Sequence, residues 1–125
     1  MKNVSFRSIS INDGFWKEKQ TMVNDTTVYA VYDRFKETHR FDALKCEWKE
    51  GMPDKPHIFW DSDVAKWIEG VAYMLEKGDY PELKKIVEDS IDLIIKNADE
   101  NGYFNSHFLV TRQDLRFTIR NDHEL

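Results

Sequence analysis

Two aspartates two positions apart, Asp61 and Asp63, are the first groups in this chain whose type and spacing can do chemistry. Neighbouring carboxyls push their pKa values apart, which lets one serve as an acid and the other as a base. The same pair, with Ser62 between, also suits the start of a helix, where side-chain oxygens meet free amides and negative charge meets the positive end of the dipole. Capping is the commoner use. His123 beside Glu124 offers an imidazole and a carboxylate to a sugar hydroxyl or a metal, although such a pair is more often surface or cap chemistry. Tyr103 and Asn105, just past Asn101-Gly102, offer a ring for stacking and an amide for hydrogen bonding, where a plain turn with a buried ring is the bland alternative. His57 and His107 are weaker candidates. Cys46 is the sole cysteine, so it makes no internal disulfide and no zinc site by itself; its ordinary role is that of a small buried hydrophobe.

These groups need elements to hold them. The run from Phe59 to Gly70 reads as a helix start, with Val64, Trp67, Ile68, Val71, Met74 and Leu75 spaced three and four apart as far as Lys77. Ala65, Ala72 and Tyr73 leave its other face poor in charge, which predicts a helix covered on most sides. Gly78 fits a left-handed helix end and Pro81 a first helical turn, so a second helix follows from Pro81 to Ala98, antiparallel to the first. Its stripe of Leu83, Ile86, Val87, Ile91, Ile94 and Ala98 opposes a charged face with Lys84/Glu88 and Lys85/Asp89 at pairing distance. One helix apolar nearly all round beside one half charged is the pattern of an inner and an outer helix in a double-layered assembly.

Towards the N-terminus, Val4, Phe6, Ile9 and Ile11 alternate with polar residues ahead of Asn12-Asp13-Gly14, which predicts a short strand and a turn. A helical stripe follows, with Val28, Val31, Tyr32 and Phe35 its clearest part and Asn24 to Thr27 a possible break. Between Lys36 and Ile58, Gly51, Pro53 and Pro56 predict a packed loop with a helical turn near Asp42 to Trp48. Phe108-Leu109-Val110 reads as a strand, and Asp122 to Leu125 as another helix start.

The chain has 125 residues, 41% hydrophobic and 14% aromatic, enough for one domain with a core. Its net charge of -5 is spread along the sequence, which argues against nucleic acid and anionic membrane as partners. No apolar run reaches the roughly 20 residues that span a bilayer, and no signal-peptide core follows Met1. A cytoplasmic protein is the expectation, and the likeness of Asp122-His123-Glu124-Leu125 to a retention tetrapeptide has the wrong order.

The wording of four segments goes further than their spacing. Asp13-Gly14-Phe15-Trp16, Phe59-Trp60-Asp61-Ser62-Asp63-Val64-Ala65-Lys66-Trp67-Ile68-Glu69, Gly102-Tyr103-Phe104-Asn105 and Asp122-His123-Glu124-Leu125 follow one another as at the start of the bacterial β-L-arabinofuranosidases, glycoside hydrolase family 127, which this chain resembles over almost its whole length. The resemblance implies a mainly α fold, the N-terminal portion of an (α/α)6 barrel with a short N-terminal β-strand, with residues 1–125 an incomplete part of one catalytic domain. It implies retaining, exo-acting removal of terminal β-L-arabinofuranose, with a zinc-bound cysteine as nucleophile and a glutamate as acid/base. Those residues fall beyond Leu125 in the family, so no catalytic residue and no zinc are expected in this chain itself. His123, Asp61, Asp63, Tyr103 and Asn105 are the expected sugar-binding positions, and the remainder of the barrel and a second copy of the chain the expected protein partners. Ser106-His107 stands where Thr-Tyr is commoner in the family, which bears on the choice of sugar. Two other readings are an unsaturated glycuronyl hydrolase or epimerase on the same barrel, and a non-catalytic helical interaction module.

Overall fold

The computed structural model describes residues 4–118. These are mainly helical, with α1 at Gly14–Met22, α2 at Val28–Glu37, α3 at Arg40–Ala43, α4 at Trp60–Leu75, α5 at Pro81–Asn97 and α6 at Ser106–Thr111. The expected pair is there, since α4 and α5 match the two spans read from apolar spacing to within two residues and pack together across a short connection.

Local expectations failed in instructive ways. No strand forms among the described residues; Phe6–Ser8 is a single 3-10 turn, and Phe108 to Val110 lie in α6. The apolar residues that suggested alternation near the N-terminus, Val4, Phe6, Ile9 and Ile11, remain exposed and have no neighbouring strand to pair with. In α6, the Asn105 side chain accepts the Phe108 amide, a local cap that outweighs the β-propensity of a three-residue apolar run. Asn24 to Thr27 do not break the chain: they form a π-type turn, Val23–Thr27, that joins α1 to α2. The helical turn in the long connection lies at Arg40–Ala43, earlier than expected. Gly78 has no left-handed backbone; instead the Tyr80 ring lies where a β-carbon would stand, 2.7 Å from it, so a side chain there would displace the tyrosine.

The core lies where α4 meets α2, α3 and α5. Val28, Trp67, Val71, Met74, Leu83 and Val87 are buried together, with Tyr32, Phe35, Phe41 and Ile86 packed around them. Trp67 is its hub. Its indole N–H donates to the Val28 carbonyl at 3.0 Å, Tyr32 stacks on it with centroids 5.5 Å apart, and Phe41 meets it edge-on at 5.5 Å. Burying the ring while satisfying its one polar atom makes α4 the element on which the other helices are assembled. The covering is one-sided: Ala65, Gly70, Ala72 and Tyr73 stay exposed, contrary to the expectation of a helix covered on most sides.

The N-terminal segment crosses that open side. The Lys77 ammonium donates to the carbonyls of Arg7 and Ile9 at 3.0 and 2.7 Å and sits over the Phe6 ring, while Phe6 meets Tyr73 edge-on at 5.2 Å. An apolar groove of about 390 Å³ remains between this segment, α1 and α4, lined in part by Ile11, Trp16, Val23 and Tyr73.

Candidate functional site

Chemistry-bearing residues gather at the start of α4, where the loop before it and the segment after α5 converge. None of the three polar residues there caps the helix in the expected way. The residue ahead of α4 is Phe59, with no side-chain cap, and the Ser62 hydroxyl donates backwards to the Phe59 carbonyl at 2.9 Å. The two aspartates are drawn away to tertiary partners.

Asp61 faces Ser106. The Ser106 amide donates to Asp61 Oδ2 at 2.5 Å and its hydroxyl to Oδ1 at 2.7 Å, 45 residues apart in sequence. Burial pushes the Asp61 carboxyl above the usual carboxylate range, opposed by the Ser106 hydrogen bonds and by the nearby His107. Asp63 faces Arg40 on α3, whose Nε donates to Oδ2 at 3.1 Å. That guanidinium also lies over the rings of Phe35 and Trp60, at 5.0 and 5.7 Å, and donates to the Thr38 hydroxyl. The two carboxylates therefore have separate partners on separate elements and share no site as an acid/base pair.

Tyr103 sits in a turn organised by Asp99. The Asp99 carboxylate accepts the amides of Asn101 and Tyr103, each at 2.9 Å, and pairs with Arg116, which holds it below the usual carboxylate range together with those amides. Gly102 takes φ of +78° there, a backbone that suits glycine. The Tyr103 ring meets Phe117 edge-on at 5.1 Å with the Arg116 guanidinium 5.0 Å from its centroid. Asn105 caps α6 through Oδ1 and donates through Nδ2 to the Ile58 carbonyl at 3.5 Å. The structure thus brings Asp61 and Asn105 together through Ser106, and places Asp63 two residues further along α4, turned to Arg40. His123 lies outside the described residues.

Two further residues belong to this cluster: His107, a weaker candidate on sequence, and Ser106, which the sequence does not single out as a site residue. His107 Nδ1 is 2.7 Å from the Pro56 carbonyl, which can only accept, so Nδ1 is the donor; its Nε2 is buried without a hydrogen-bond partner among the described residues. Ser106 is fully buried, and only its contact with Asp61 reveals its part, because no local pattern links positions 45 residues apart.

Cys46 is half-buried, and burial, with the Asp61 charge adding, pushes its thiol up to about 11. At pH 7.5 it is therefore almost entirely a neutral thiol and a poor nucleophile. Alkylation of the folded chain by iodoacetamide at that pH should run at least about tenfold slower than that of the urea-unfolded chain, given the ordinary thiol value near 8.5. Equal rates would contradict the placement. Among the described residues no three His, Cys, Asp or Glu side chains are grouped to hold a metal ion, so Cys46 with the nearby Asp61 falls short of the three or four protein ligands of a zinc site. No helix among them is long and apolar enough to cross a membrane.

Comparison with known proteins identifies relatives. The model of the β-L-arabinofuranosidase GH127 catalytic domain matches residues 8–124. A non-reducing end β-L-arabinofuranosidase of Bifidobacterium longum subsp. longum is 38% identical over 53 residues, which are 42% of this chain and 8% of that protein. The match therefore spans a small part of the relative's length. No solved structure matches.

Proposed function

Because the chain belongs to the GH127 β-L-arabinofuranosidase catalytic-domain family, we propose that it is the sugar-facing first portion of a glycoside hydrolase that removes terminal β-L-arabinofuranose in a retaining, exo-acting manner. The single observation that carries this is the family match over residues 8–124. In this reading α4 is an inner helix and α5 an outer helix of an (α/α)6 barrel, a role supported by the burial of Trp67 and Val71 on one and the charged face of the other. The end of the fold where Asp61, Asp63, Tyr103 and Asn105 lie, with His123 after it in sequence, faces the sugar. The remainder of the barrel covers the groove beside Trp16 and Tyr73, both more than half exposed, and the isolated chain self-associates through it. Nucleophile, acid/base and zinc ligands come from other parts of the family domain, and no step of the reaction is assigned to residues 1–125.

The test uses the purified chain and three probes: methyl β-L-arabinofuranoside, an unsaturated glucuronide and a hexose glycoside. Saturation-transfer NMR should show the arabinofuranoside bound in preference to the others, while an aryl β-L-arabinofuranoside is not turned over and zinc is not bound stoichiometrically. Preference for the glucuronide would favour a glycuronyl hydrolase or epimerase, and binding of none would favour an interaction module. Zinc-dependent turnover would show that the chemistry lies within these residues after all.

A further inference from the structure

Three consecutive residues, Asn105, Ser106 and His107, each reach back to a different point of the segment from Pro56 to Asp61. Asn105 Nδ2 donates to the Ile58 carbonyl at 3.5 Å, Ser106 donates twice to Asp61 at 2.5 and 2.7 Å, and His107 Nδ1 donates to the Pro56 carbonyl at 2.7 Å. The contacts join positions 45 to 51 residues apart and fasten the turn at 99–105 and α6 onto the approach to α4. The strongest of them is charged. A carboxylate with each oxygen accepting a hydrogen bond from a fully buried serine has its first-choice acceptor sites committed inward.

We propose that Asp61 and Ser106 are positioning residues: their clasp holds the Tyr103–Asn105 turn in place at the sugar-facing end of the fold, and Asp61 does not itself bind the sugar. The inference rests on the family reading only for what the turn is positioned towards. The clasp supplies rigidity that the turn's own bonds do not, because the Asp99 contacts fix the turn's shape and leave its attachment to α4 undetermined. Loops tied to a rigid element hold binding groups at lower ordering cost than loops that must settle when the ligand arrives.

Ser106→Ala deletes the hydroxyl donor and Ser106→Thr restores it. Asp61→Asn removes the charge and places an amide group where one acceptor stood, and serves as the second variant if Ser106→Ala repacks. Hydrogen exchange without sugar is the deciding measurement. Loss of one hydrogen bond to a charged group should speed exchange about tenfold or more at the Gly102 and Leu109 amides in Ser106→Ala and Asp61→Asn, with Ser106→Thr near the native rate. The Lys84 and Ala98 amides, bonded at the two ends of α5, should stay within about twofold. Unchanged exchange at Gly102 and Leu109, or an equal rise at all four amides, would overturn the proposal.

Methyl β-L-arabinofuranoside then supplies a second readout. If Asp61 positions, Ser106→Ala weakens binding at the turn; if Asp61 contacts the sugar, freeing its carboxylate leaves binding unchanged or tightens it and overturns the proposal. Native chain that binds no sugar while the exchange pattern holds as expected would count against the family reading of the site and leave the clasp established.

Discussion

Trp67→Ala should cost about 3–5 kcal/mol, the range for truncating a buried aromatic residue, out of a total of about 5–15 kcal/mol for a domain of this kind. Trp67 is only 7% exposed and lies between Tyr32 of α2 and Phe41 of α3, so its loss opens the junction of three helices and leaves the Val28 carbonyl without its indole donor. Urea unfolding followed by circular dichroism measures the change. Tyr73→Ala is the control, because that ring is 53% exposed, and its cost should stay below about 1 kcal/mol. Trp67→Glu would place a charge in that buried junction and should unfold the chain instead of dispersing an oligomer. Self-association is properly tested by Trp16→Ser, since that ring is 61% exposed. Light scattering should show the native chain larger than a monomer and this variant shifted towards monomer. Native chain that is monomeric throughout would remove the idea.

Phe108→Ala carries an expected loss of similar size, about 3–5 kcal/mol, for a different reason. Phe108 is wholly buried yet stands outside the cluster around Trp67, with the His107 ring edge-on at 5.1 Å and the Arg112 guanidinium 5.8 Å from its centroid. It is the apolar anchor of α6, a helix of six residues that is too short to persist without tertiary packing. Thermal unfolding should drop by several degrees, and protection of the α6 amides should vanish before that of α5. A variant as stable as native would mean that α6 is held by the polar clasp alone.

The legible parts of this fold were those whose information is local and periodic. The α4 and α5 stripes repeat at helical spacing for four turns or more, and Pro81 marks a first turn, so length and type followed directly. The misread parts were short or settled at a distance. Phe108-Leu109-Val110 has strand composition, but three residues carry no period, and the Asn105 cap decided the matter. Gly78 reads as a left-handed helix end, yet the need for glycine there comes from the space taken by the Tyr80 ring. At the candidate site, the local pattern of Asp61 and Asp63 reads as a helix cap, but their partners Ser106 and Arg40 lie 45 and 23 residues away and turn the apparent cap into two tertiary ties. The family resemblance, by contrast, was visible in the wording of the segments, and the match over residues 8–124 bears it out.

The reading of this chain as the sugar-facing part of a β-L-arabinofuranosidase domain is tested most directly by residue-resolved NMR titration of the labelled chain with methyl β-L-arabinofuranoside. The account predicts saturable shifts at Tyr103, Asn105 and His123, with Ser106 following as the clasp transmits the change. Shifts confined to the groove at Trp16 and Tyr73, or no shifts up to millimolar sugar, would contradict it.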